Sequence, residues 1–136
     1  MLRNILGVIA GLIVGSVVNI ALITIGPMVV PPPAGADTTT MEGIQAAMPL
    51  FETQHFVFPF LAHALGTLAG ALVACLIATS HKAIISVVIG VVFLLGGIAA
   101  AYMLPAPFWY EALDLIAAYI PMAWLGGKLG GARKAA

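Results

Sequence analysis

Residues 5–26 read ILGVIAGLIVGSVVNIALITIG, an unbroken run of twenty-two residues without a charge. A helix that crosses a membrane needs about 20 consecutive, mostly apolar residues. Glycine recurs here at every fourth position, Gly7, Gly11 and Gly15, and Asn19 continues the register. Small residues at that spacing form a flat stripe on one helix face and let a second backbone approach closely. Three further stretches have the same character: 56–79, 83–104 and 108–127. None alternates between lipid-facing and lumen-facing residues as a membrane barrel strand does. The expected fold is therefore an all-α membrane protein, a four-helix transmembrane bundle forming a single domain over residues 1–136. Short connections at 80–82 and 105–107 make consecutive spans antiparallel neighbours, and residues 27–55 form the one long loop.

Composition supports this reading. Of the 136 residues, 62% are hydrophobic and 7% charged, against about 25% charged in a soluble domain. A soluble fold of this size leaves too much of its chain exposed to hide that apolar surface, and disordered chains are polar. Five bases balance five acids; with no basic stripe or recognition module, nucleic acid is not an expected partner. The single cysteine, Cys75, excludes an intrachain disulfide and paired-cysteine redox or metal motifs, and reads as a small buried hydrophobe. The glycines fit no phosphate-cradling pattern, so no cofactor is expected.

The charges are segregated along the chain. Arg3, Lys82, Lys128, Arg133 and Lys134 fall on one side of the four spans, whereas Asp37, Glu42, Glu52, Glu111 and Asp114 fall on or near the other. Lys and Arg accumulate in cytoplasmic segments, which predicts both termini in the cytoplasm and the 27–55 loop outside. The first apolar run, followed by Ala34-Gly35-Ala36, resembles a secretory signal, but it exceeds the usual core of about 7–15 residues and reads as a retained helix. Phe108, Trp109 and Tyr110 mark the outer interface and Trp124 the inner one. Pro121, without an N–H to donate, bends the fourth span.

Pro31-Pro32-Pro33 gives the outer loop a stiff start. Thr39 and Glu42 have capping-box spacing, and Met41, Ile44 and Met48 recur at helical spacing before Pro49. These features predict a short interfacial helix along the outer surface, its apolar residues dipping into the membrane; it reads first as a lid over the open end of the bundle, and otherwise as a partner-binding or substrate-gating element. Small-residue faces recur on the second span (Ala62, Gly66, Gly70, Ala74) and the third (Ser86, Gly90, Gly97). All of these read as packing seams.

Polar residues share those seams. His63, Asp114, Glu111 and Asn19 lie roughly 6–12 Å from the outer ends of their spans at helical rise, all in the outer half. Ionisable groups inside a membrane are costly and face the bundle interior or a wet cavity. One reading is a hydrogen-bonded plug, with His63 on Asp114 or Glu111 and Asn19 bridging. The other is a site open to the outside for a proton, a cation or a small polar ligand. A histidine with two carboxylates, extended by His55 and Glu52 from the loop, has the donor types of a divalent-metal site. Spacing across separate helices defines no ligand set, so no metal is assigned. His81-Lys82 in the inner turn reads as an interfacial anchor.

The strings PPPAG (31–35), HFVFPFLAHALGT (55–67), MLPAPFW (103–109) and YIPMAWLGGKL (119–129) resemble an uncharacterised family of small four-span bacterial inner-membrane proteins. The resemblance covers essentially the whole chain and implies a bacterial inner-membrane location, with no activity attached. The residues themselves favour a non-enzymatic, structural or assembly-type helix-packing subunit, whose partners are the lipid bilayer and either copies of itself or a larger membrane assembly. The alternative is a transporter or channel component using His63, Asp114, Glu111 and Asn19. A membrane enzyme with His63 as general base needs a positioned nucleophile, and none is legible.

Overall fold

A computed structural model describes residues 1–132; Arg133 and Lys134, counted above on the basic side, lie outside them. The described chain is helical throughout its regular structure: α1 (Leu2–Val29), α2 (Met41–Ala47), α3 (Val57–Ile77), α4 (Lys82–Met103), α5 (Phe108–Ala117) and α6 (Ile120–Leu129), with single 3-10 turns at Met48–Leu50 and Thr53–Phe56. Three helices are long and apolar enough to cross a membrane: Leu2–Val29, Thr53–Ile77 (α3 with the turn before it) and Lys82–Met103.

The fourth expected span, 108–127, is not one continuous helix. It divides into α5 and α6, ten residues each, hinged at Ala118 and Tyr119. Proline is the cause. Pro121 lies in the first turn of α6, and without an N–H it cannot continue the hydrogen-bond ladder to Ala117. Tyr119 takes up the turn with φ −113° and ψ −78°.

The core is built around α3, with α1 on one face and α4 and α6 on the other. Every buried residue of α1 is a glycine: Gly7, Gly11, Gly15 and Gly26. The first three meet α3 backbone to backbone. A Cβ on Gly7 would lie 2.7 Å from the Ala74 carbonyl oxygen, one on Gly11 2.5 Å from that of Gly70, and one on Gly15 2.7 Å from that of Gly66. Conversely, Gly66 and Gly70 have no room for a side chain against the carbonyls of Gly15 and Gly11. The opposite edge of α1, with Ile5, Ile9, Ile13, Val17 and Ile20, is exposed. A soluble protein would not leave so large an apolar face uncovered. On the other side of α3, Gly126 and Gly130 of the last helix pack against the carbonyls of Leu68 and Leu72, and Gly90 of α4 receives Ala123. The sequence reading leaves this seam out: Gly126 and Gly130 are four residues apart, but Gly130 lies beyond the apolar run that ends at 127 and caps α6.

One end of the bundle collects the bases. Asn4 of α1 donates to the Ser80 hydroxyl (2.9 Å) and accepts from the Thr79 backbone N–H (3.1 Å), clamping the α3–α4 turn. In that turn His81 has a left-handed φ of 54°. Lys82 Nζ donates to the Gly130 carbonyl (3.1 Å) and so ties α4 to the end of α6. Arg3, Lys82 and Lys128 thus share one end, while Asp37, Glu42, Glu52 and Glu111 lie toward the other.

At the acidic end the 30–56 segment folds over the bundle. Thr40, rather than Thr39, caps α2, accepting from the Gly43 N–H at 3.0 Å. Thr39 instead gives both its backbone N–H (2.8 Å) and its hydroxyl (2.6 Å) to Asp37. Sequence spacing could not separate adjacent threonines that both suit a cap. Met48 is also not surface-directed: it packs inward with Phe56 and Tyr110, so the short helix lies over the bundle end as a lid. The Gln45 side chain fastens the lid to the Met103 carbonyl (2.6 Å).

The Asp37 turn makes this lid acid-sensitive. The Thr39 hydroxyl first, and then its N–H, hold the Asp37 carboxyl below its ordinary value of 3.8. A depressed folded value means the turn contributes stability above the unfolded value, which is lost as pH falls through the lower folded one. An NMR titration is expected to place the Asp37 midpoint below 3.8, with hydrogen exchange at Gly43 accelerating over the same acid range; a midpoint at or above the ordinary value would contradict it.

Candidate functional site

His63, on the second turn of α3, meets Asp114 at the end of α5. Its Nδ1 lies 2.9 Å from Oδ1 and 3.0 Å from Oδ2 of the carboxylate. An ionised carboxylate only accepts, so Nδ1 carries the proton and donates. Asp114 is buried, at 5% exposure, and accepts a second hydrogen bond from the Tyr119 hydroxyl at 2.8 Å. The Tyr119 ring also stacks on the imidazole, with centroids 5.7 Å apart and planes at 29°. A third contact fixes the α3 backbone here: the Thr67 hydroxyl donates to the His63 carbonyl at 2.7 Å. The imidazole is therefore held by one nitrogen, one face and its own backbone.

Tyr119 is absent from the expected site. Five residues separate it from Asp114, which on a continuous helix turns it away by about 140°. The break between α5 and α6 swings the phenol back onto the carboxylate. Pro121 was the available signal, read only as a bend. Gly97 of α4 completes the arrangement, because a Cβ there would overlap the Tyr119 ring and hydroxyl.

The second nitrogen of His63, Nε2, has no hydrogen-bond partner among the described residues, and it is not sealed from solvent. Two cavities meet at this ring. The first, about 320 Å³, lies under the lid and is walled by His63, Asp114, Glu111, Tyr110, Phe51 and Phe56, among others. The second, about 300 Å³, lies between α1 and α4 and is lined by Ser16, Asn19, Phe93, Gly96 and Tyr119, with His63 and Gly97 shared with the first.

Of the four expected polar residues, two are in direct contact. Glu111 stands one turn above Asp114 on the wall of the first cavity, and its carboxylate makes no hydrogen bond among the described residues. Asn19 does not bridge. It lies over Gly66 and lines the second cavity, whereas Asp114 lines the first. The loop residues His55 and Glu52 are used by the fold: His55 Nδ1 accepts the Glu52 N–H (2.9 Å) and Nε2 faces the Pro31 carbonyl (3.2 Å). They staple the two ends of the lid together and complete no ligand shell. Among the described residues, no three His, Cys, Asp or Glu side chains come together to hold a metal.

Chemically, a histidine orientated by a buried carboxylate, with its free nitrogen in a cavity, is a proton acceptor whose positive form has a counter-ion already in place. The flat phenol beneath it and the backbone contact from Thr67 leave it little freedom to turn. No protein-family model, curated protein or solved structure matches the chain.

Proposed function

We propose that the protein is a four-span bacterial inner-membrane protein, both termini in the cytoplasm, that acts as a transport component with a protonatable site facing outward. In this reading α5 and α6 together supply the fourth crossing, and the base-rich end lies in the cytoplasm by the positive-inside rule. Four helices enclose little space, so the working form is an oligomer or part of a larger assembly.

The observation that carries the proposal is His63, which lines both cavities and whose Nε2 has no hydrogen-bond partner among the described residues. A proton arriving through the cavity under the lid binds at Nε2. The charge is balanced through the Nδ1–H bond to Asp114, so the imidazolium is not left unpaired at depth. The second cavity offers the next polar groups, Asn19 and Ser16, the latter near the middle of α1. The assembly reading began from the glycine ladders. Those ladders are filled within the chain, so a helix-packing role has no separate support from them and ranks second.

Reconstituted vesicles carrying an internal pH dye test the proposal. Wild-type protein is expected to pass protons down an imposed pH gradient, His63→Ala to lose roughly a hundredfold of that rate, the low end of what a positioned proton-transfer group contributes, and His81→Ala to retain it. Equal leak in all three rejects the transport reading.

A further inference from the structure

Resting on that reading of the outer site, we infer that the ligand of the cavity under the lid is an organic cation with an apolar body. Its wall carries two carboxylates, Glu111 and Asp114, and two histidines, His55 and His63, and among the described residues no lysine or arginine. Asp114 is met by His63 and Tyr119, whereas the Glu111 carboxylate has no hydrogen bond or ion pair among the described residues. The rest of the wall is mainly apolar and aromatic. Phe56 and Tyr110 lie with centroids 4.7 Å apart and Phe51 stands 6.0 Å from Phe56. Faces of such rings attract a cation, more strongly when it is desolvated.

An independent observation points the same way. Tyr110 is only 8% exposed, and its hydroxyl is the buried side-chain polar atom left without a partner among the described residues. A buried hydroxyl without a partner is costly, and this one belongs to the cavity wall beside Glu111 and Asp114. A cation that presses into this wall can give the hydroxyl oxygen an N–H to accept, next to the carboxylates that hold its charge. The other ligand classes fit less well. An anion would meet two like charges across a low-dielectric wall. A neutral apolar molecule would strip water from Glu111 and return no hydrogen bond. The volume of about 320 Å³ suits a body the size of a substituted benzene ring.

Three probes of one shape separate these classes on the full-length protein in nanodiscs: protonated N,N-dimethylbenzylamine, its neutral carbon isostere isobutylbenzene, and the anion phenylacetate. Binding is read from shifts of the Tyr110 and His63 NMR signals. The cation is expected to bind at least tenfold tighter than either control. Glu111→Gln is expected to weaken the cation about tenfold and leave isobutylbenzene unchanged, and Tyr110→Phe to weaken the cation about threefold. Equal binding of the three probes overturns the inference without need of a variant, as does a Glu111→Gln protein that melts like wild type and keeps full cation affinity. The two proposals fail separately. His63-dependent proton flux without cation preference removes the ligand class alone, and cation preference with His63-independent flux removes the transport reading alone.

Discussion

Gly11→Leu is expected to destroy the fold of the single chain, with a loss of at least about 3 kcal/mol, the upper end of the usual cost of overpacking. At this position even the first carbon of a side chain would sit 2.5 Å from the Gly70 carbonyl oxygen and 2.7 Å from the Ala74 Cβ. Neither atom can move aside, since one is backbone of the central helix and the other is bound directly to it. The helices would have to separate, and α1 has no other buried residue than glycine with which to hold on. Gly96→Leu is the matched control, because a Cβ there meets nothing within 4 Å. Thermal melting in detergent is expected to place Gly96→Leu near wild type and Gly11→Leu far below it. Similar melting of the two would contradict the close α1–α3 approach. Size-exclusion of the folded fraction adds a second readout: loss of an oligomer with the monomer still folded would mean that the ladder serves contacts between chains.

Asp114→Asn is expected to remove most proton flux, tenfold or more, and to cost about 1.5–3 kcal/mol, the range for hydrogen bonds to a charged group. The substitution keeps the size of the side chain but removes the charge that faces His63 at 2.9 Å. It also puts an amide NH2 in place of one carboxylate oxygen, so that a donor faces the His63 Nδ1–H or the Tyr119 hydroxyl. Tyr119→Phe separates structure from transport. It loses one hydrogen bond to Asp114 while the His63 pair survives, at a cost of about 0.6–1.7 kcal/mol for polar contacts between membrane helices, with flux largely kept. If the polar cluster is only a plug, both variants lower stability and neither changes flux. Parallel melting and vesicle measurements on the same preparations decide between these outcomes.

Much of this was legible from periodicity. The four-residue spacing of Gly7, Gly11 and Gly15 and of Ala62, Gly66, Gly70 and Ala74 defined two stripes, and the structure joins them to each other. The depth argument brought His63 and Asp114 to a common level, and they are hydrogen-bonded. The same argument failed for Asn19, because depth fixes height and not azimuth. Asn19 and Asp114 share a level, yet Asp114 bonds the imidazole while Asn19 only lines the second cavity with it. Tyr119 was hidden for a related reason. The angle between residues 114 and 119 follows from helical geometry only while the helix continues, and Pro121 ends that continuity by removing a donor. The lid was misplaced by one residue at its cap and turned the wrong way at Met48. Local spacing there carries no information about the Phe56 and Tyr110 pocket that receives the methionine.

The glycine seam has a further consequence, for alignment. A stripe that repeats every four residues fits its partner nearly as well after α1 slides by one repeat, about 6 Å along its axis. Contact along the ladder alone therefore leaves several settings of α1 close in energy. The features that distinguish them stand at its two ends and do not repeat. Asn4 reaches the Thr79–Ser80 turn in only one setting, and Gly26 must lie over the Phe58 ring, where a Cβ would be 2.7 Å from that of Phe58. The middle of α1 supplies adhesion, and its ends supply the address.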